Sequence, residues 1–259
     1  MISKIFIPNA KIDRQSFVII VTVEIFIALC AWWQSPVAFI PKPLEVWQAF
    51  GDLWDQGLAI NLLTSLWLNI EAVLIATAIS LLIAWAGTLP VFRAPVMLIG
   101  KLRYVSMAGL LFAFTLVTNN GHQLKLTVLV WAVTVFFVVS MVDVLSSTPK
   151  EFLDLARVMH MGPWRTLLEV QVLGAADKAF DVMRQNIAMA WLTLAFAEAI
   201  SRSEGGVGAM LATSAKYFHL SEIAALQIVI FSMGLAQDYA LGWLKRVCCP
   251  YAFLVVEAR

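Results

Sequence analysis

The sequence predicts an all-α membrane protein of about six transmembrane helices, with the N- and C-termini cytoplasmic and one structured cytoplasmic loop. Three observations carry this. The 259-residue chain is 61% hydrophobic and only 14% charged, with a mean hydropathy of +0.84, whereas soluble domains are about 45–50% apolar. Long apolar runs alternate with short polar segments along its length, as helices that cross a bilayer require. Lys and Arg are unevenly shared between the segments on alternate sides of those runs.

The runs follow in order. Residues 1–16 form a leader with Lys4, Lys11 and Arg14. The first span is 17–33, closed by Trp32-Trp33 as an interfacial anchor. It starts late and no small-residue cleavage site follows it, so no cleavable signal peptide is read. Residues 34–61 hold Pro36, Pro41, Pro43 and Gly57 around an amphipathic piece, 44–54, expected along the outer surface. The second span is 62–86. Arg93, Lys101 and Arg103 make a polar turn before the third, 105–117, which is shorter than the roughly 20 residues a span wants. The fourth is 126–142, the fifth 187–199 and the sixth 223–243, with a basic tail from Lys245 to Arg259.

Charge orients the chain. With the N-terminus inside, fourteen of the 18 Lys and Arg fall on the cytoplasmic side, and four (Lys42, Lys125, Arg202, Lys216) fall outside. This is the positive-inside bias, and basic termini on one side fit an even number of spans. The chain reads as one transmembrane domain, 1–259, with a cytoplasmic loop at 143–184.

That loop contains the longest stretch that could not sit in lipid. Thr148 can cap a helix, Pro149 suits its first position, and Glu151 falls where a capping box needs it. Phe152, Leu155 and Met159 then repeat at helical spacing, with Asp154 and Arg157 off the stripe. Gly162-Pro163 breaks the helix, and a second pattern starts near Trp164 with Leu167, Leu168 and Val172. A capped polar helix with an apolar stripe, held at one membrane face, is built to touch something.

Several chemistries lack their residues. No Walker motif occurs, and Gly205-Gly206-Val207-Gly208 lacks the Gly-Lys-Ser/Thr ending of a phosphate loop. His122, His160 and His219 lack ligand spacing. Cys30, Cys248 and Cys249 form no disulfide framework. No cofactor, metal or nucleic-acid partner is expected in this chain. Carboxylates inside spans are costly, about 2.5–3.5 kcal/mol on insertion scales, so Glu24, Glu71 and Glu198 are functional candidates. Asn69, Thr77, Ser80, Asn119, Asn120, Asn186 and Gln227 either line a path or bond between helices.

The motifs of the loop carry a resemblance. Asp154-Leu155-Ala156 stands as an acidic-Ala-Ala start, Arg157-Val158-Met159 as a spacer, and His160 at a usual Gly. Trp164-Arg165 matches an aromatic-polar pair, and Val172-Leu173-Gly174 stands for Val-Leu-Pro. Elsewhere, Pro41-Lys42-Pro43-Leu44-Glu45-Val46, Thr64-Ser65-Leu66, and Glu198 followed by the Gly-rich segment fall in matching order. The chain resembles the permease subunit of bacterial ABC importers of the nitrate/sulfonate/taurine type, with departures at His160 and Gly174.

The resemblance implies a multi-pass protein of the bacterial inner membrane, paired with a second permease copy. Its partners would be an ATPase subunit that binds the ATP and an extracytoplasmic solute-binding protein. Glu151, Phe152, Asp154, Leu155, Ala156, Arg157, Met159, His160 and Gly162 would form the helix that couples to the ATPase. Glu198 would stand near the outer mouth, with Glu71, Asn69 and Asn186 as further candidates for a path or gate. The cargo class would be small organic or inorganic anions. The departure at His160 implies an ATPase with a matching departure. A membrane-embedded enzyme, an assembly factor and a scaffold of a membrane complex stay as alternatives, though no nucleophile–base pair or ligand set is readable.

Overall fold

The computed structural model describes residues 13–34 and 39–254, and every regular element among them is helical. In order these are α1 (Arg14–Trp33), α2 (Pro43–Asp55), α3 (Leu58–Ala86), α4 (Arg93–Lys101), α5 (Met107–Val117), α6 (Gly121–Ser146), α7 (Lys150–Val158), α8 (Pro163–Thr166), α9 (Ala176–Ile200), α10 (Val207–Lys216), α11 (Leu220–Cys248) and α12 (Tyr251–Leu254). Lys4, Lys11, Pro36 and Arg259, named above, lie outside the described residues.

Four described helices are long and apolar enough to cross a membrane: α1, α3, α6 and α11. They expose large apolar side chains such as Trp67, Leu82 and Phe231, a surface for lipid rather than water. The third expected span differs. Its helix, α5, has 11 residues, about 16 Å at 1.5 Å per residue, half the thickness of a hydrocarbon core. It meets the helical segment before it at 112°, as either a broken span, which would raise the count to five, or a re-entrant loop. The fifth run lies within α9, whose first third carries Asp177, Lys178, Asp181 and Arg184.

Helix α6 packs against both α3 and α9, which also touch each other. Contacts at the two ends fix the directions. At one end Ser65, near the start of α3, bonds Glu198, near the end of α9, and Lys125, near the start of α6, bonds Gly205 just beyond α9. At the other end Ala84, Met141, Leu145 and Val182 form one core cluster. So α3 and α6 run the same way and α9 runs against them. The segment 87–120, holding α4 and α5, therefore returns the chain along the bundle.

Helix α11 lies along α9, held by polar pairs down its length. Trp191 Nε1 donates to Gln237 Oε1 at 2.8 Å, Arg184 forks onto Asp238, and Lys245 meets Asp181 at 2.6 Å. Helix α2 begins with Pro43 in its first turn, and its Glu45 accepts from the Lys42 amide at 3.0 Å. Val46, Ala49 and Leu53 form its buried stripe, against α10 and α11. The amphipathic reading of this segment holds. Helix α1 is attached differently: none of its apolar window is buried, and at its end Trp32 donates to the Pro41 carbonyl at 3.0 Å.

Candidate functional site

Two places gather the residues singled out by the sequence: a buried polar corner where α9 turns into α10, and the loop helix α7.

The corner is built by backbone that only glycine permits. Gly205 and Gly206 have φ of +68° and +113°, values that L side chains rarely adopt. A Cβ on Gly206 would collide with the Glu198 carboxyl, and one on Gly208 would stand 2.5 Å from the Ala195 carbonyl oxygen. The turn brings the N-terminus of α10 back onto Glu198, which is 1% exposed. One carboxylate oxygen accepts from the Gly208 amide at 2.8 Å, so it faces the positive end of a helix. The other accepts from the Ser65 hydroxyl at 2.6 Å. Ser65 in turn accepts from the Val207 amide at 2.9 Å. One turn earlier on α3, Asn61 Oδ1 accepts from the Gly206 amide at 2.7 Å. Lys125, 2% exposed, donates to the Gly205 carbonyl at 2.8 Å.

The arrangement is a clamp. Three elements from distant parts of the chain hold the α9–α10 turn, and its first amides find buried acceptors. Orphaning such groups costs about 1–3 kcal/mol each, so the corner is rigid. Ser65, Glu198 and Lys125 are spent on one another or on the backbone, so the corner positions backbone.

The other gate candidates do not converge here. Glu71, half-buried on α3, stands 3.4 Å from His122 Nε2 on α6. Asn186 is buried, and its amide donates to the Val182 carbonyl of its own helix at 2.8 Å. Asn69 is 0% exposed and neither its nitrogen nor its oxygen has a partner among the described residues. Thr77 and Thr134 also bury unpartnered hydroxyls, and Glu24 is exposed on α1. Sequence reasoning passed over Asn61 and treated Ser65 only as part of a Thr-Ser-Leu motif. Lys125 entered only as an outer charge, although a Lys followed by so long an apolar run was a signal that it is tied down.

The loop helix presents its stripe outward. Phe152 and Leu155 are each 55% exposed and Met159 is 59% exposed, while Ala156 is buried and the helix packs on the Leu167–Leu173 stretch of the same loop. Val158, Trp164, Leu168 and Leu173 extend the exposed apolar surface. Asp154 and Arg157 pair at 2.9 Å on its rim, and Glu151 is also exposed. Gly162 is the cap before Pro163, where the helix breaks as expected.

The start of α7 corrects the capping-box expectation. The helix begins at Lys150, so Pro149 is the cap and no side chain caps it. Thr148 is one residue too early, and its amide instead closes the end of α6 on the Leu145 carbonyl at 3.3 Å. The second helix of the loop is likewise only the single turn α8, followed by a wide π-type stretch, Leu167–Leu173.

The end of α7 explains the place where a Gly is usual. The Met161 amide donates to the Ala156 carbonyl and the His160 amide to the Arg157 carbonyl, both at 3.0 Å. This is a Schellman ending, and it puts His160 at the left-handed position with φ of +53°. Glycine occupies that position freely; histidine does so at a cost.

These features define an all-helical, multi-pass integral membrane protein in which the apolar stripe of α7 is exposed. No protein-family model matches the chain. It is similar to the bicarbonate transport system permease protein CmpB of Synechocystis sp., 23% identical over 126 residues, which is 46% of this chain and 45% of the relative. It is also similar to CmpB of Synechococcus elongatus, 26% identical over 122 residues, 44% of each. The matched stretch covers less than half the length of either relative. The chain is a distant relative of transport permeases, and the resemblance read from its motifs is borne out.

Proposed function

We propose that the chain is the membrane-spanning permease subunit of an ATP-driven importer for a small anion. In this reading the chain crosses the bilayer six times, with α4–α5 as a broken crossing and α9 as the fifth. Both termini and α7 then lie in the cytoplasm. The chain pairs with a second copy, receives solute from a binding protein outside, and binds no nucleotide itself. The relatives are named for bicarbonate, so we take the cargo to be of that class: a small oxyanion, or a nitrate- or sulfonate-like one.

The observation that carries the proposal is the exposed apolar face of α7. Phe152, Leu155 and Met159 stand more than half exposed on a helix whose back is anchored by Ala156. Such a face, with polar residues at its rim, suits a groove on another protein. An ATPase seated there would move the loop as a rigid body and pass that movement to α6 and α9, which the loop connects.

The test is co-expression with an ABC-importer ATPase from the same genome. The wild-type chain should copurify with it and support ATP-dependent solute uptake in vesicles. Phe152→Asp with Leu155→Asp should abolish copurification while leaving the melting temperature of the isolated chain unchanged. Copurification that survives the double substitution would remove α7 as the docking element.

A further inference from the structure

Helices α3, α4, α5 and α6 leave an apolar cleft of about 430 Å³ between them. Ile75 and Ile79 of α3, Ile99 of α4 and Phe114 of α5 form its walls, and α6 lines it from Leu126 to Val135. That stretch of α6 rises about 14 Å, so the cleft is long for its volume, the shape of a chain rather than of a compact solute. It opens sideways. Ile75, Ile79 and Leu102 on its wall are each more than one-third exposed. They lie beside Leu74 and Leu82, 60% and 65% exposed, on the side of α3 that suits lipid.

One end of the cleft carries charge. Gly100 of α4 packs on α6 one turn beyond Val135: a Cβ there would stand 3.0 Å from the Val139 side chain. Leu102 lines the cleft at this end, flanked in sequence by Lys101 and Arg103, both exposed. Among the described residues neither cation meets a carboxylate. Arg103 instead donates to the Tyr104 hydroxyl at 2.9 Å and lies over the Tyr104 ring. The cleft itself is lined by no charged residue.

We infer that this cleft binds an anionic phospholipid. One acyl chain lies along α6 between α3 and α5, and the phosphate headgroup meets Lys101 and Arg103 at the end. The order of the groups fits such a molecule: charge at one end, then apolar wall. A guanidinium matches phosphate oxygens as a fork, and exposed Tyr104 holds it at a level where aromatic residues meet headgroups. The short helix α5, bent away at 112°, leaves this flank of α6 uncovered, and the acyl chain supplies the packing that a full-length helix would give. The site rests on the chain lying in a bilayer and not on its solute or its ATPase.

The test uses the full chain in phosphatidylcholine nanodiscs doped with chain-brominated phosphatidylglycerol or chain-brominated phosphatidylethanolamine. Trp131 lines the cleft and reports on a brominated chain there by loss of fluorescence. In the wild-type chain phosphatidylglycerol should quench at a mole fraction at least about fivefold lower, the gain expected of one cation at a membrane surface. Trp131→Phe should remove that preferential part of the quenching. Lys101→Gln with Arg103→Gln should bring the two lipids level and leave the melting temperature unchanged, since both positions are exposed. Equal quenching by the two lipids in the wild-type chain would overturn the inference. So would a preference that survives the double substitution or does not involve Trp131. Absence of any quenching of Trp131 would show that protein, a second copy included, fills the cleft, and would overturn it too. Failure of ATPase copurification would leave the quenching as it is.

Discussion

Arg184 and Asp238 lock α9 to α11 through a two-pronged ion pair, Nε to Oδ1 at 2.8 Å and a terminal nitrogen to Oδ2 at 2.6 Å. The guanidinium lies over Gly242, its carbon 3.5 Å from where a Cβ there would stand, an ordinary van der Waals distance. Both side chains are about one-third exposed, so the pair is weaker than a fully buried one. Asp238→Asn should cost about 1–3 kcal/mol, as lost charge-assisted hydrogen bonds do. Chemical unfolding in detergent reads this, and the double substitution with Arg184→Gln should cost less than the sum of the two singles.

Glu198 should tolerate an amide better than a methyl. Glu198→Ala leaves the Gly208 amide and the Ser65 hydroxyl without their buried acceptor, a loss of about 2–5 kcal/mol. Glu198→Gln keeps an acceptor for Gly208 and lets Ser65 turn its lone pair to the new amide, at a cost of about 1–2 kcal/mol. Equal losses in thermal unfolding would show that the carboxylate is not held as described.

Gly206→Ala should fail more severely than any other conservative change in the corner. Its methyl meets the Glu198 carboxyl at a φ of +113°, which adds steric conflict to strain of about 1–3 kcal/mol. Loss of a monodisperse peak in size-exclusion chromatography is the expected readout. Gly51→Ala, with nothing within 4 Å, is the control that should behave as wild type.

His160→Gly should stabilise the loop. A left-handed L residue costs about 1–2 kcal/mol, and the freedom of glycine in the unfolded chain offsets about 0.5–1 kcal/mol. The net gain is about 0.5–1 kcal/mol, visible as stronger amide protection over 156–161 in hydrogen exchange. His160→Val should move the other way, because a β-branched residue is poorly suited to that backbone.

The loop should be reachable from one side alone. Asp154, exposed on α7, changed to Cys in a background without native cysteines, should react with an impermeant maleimide in inside-out vesicles and not in intact cells. Labelling of intact cells would reverse the orientation drawn from the Lys and Arg distribution.

The sequence by itself determined what depends on local pattern. An apolar run long enough for lipid is helical wherever it falls, because no other backbone satisfies its own hydrogen bonds there. The all-helical class was therefore legible, and helical spacing disclosed the amphipathic character of 44–54 and the stripe Phe152, Leu155 and Met159 of α7. Caps and breaks were less so: Thr148 and Pro149 each fall one place short of the cap and first-turn positions expected of them, and a short apolar segment did not disclose that α5 is bent away from the helical segment before it. Only the tertiary structure decided that Glu198 meets Ser65 across 133 residues and Asn61 meets Gly206 across 145, and that Asn69 is left idle beside them. The physical reason is that such bonds depend on how far one helix has slid along another. That relative register is set by packing over the whole bundle, and no stretch of sequence encodes it locally.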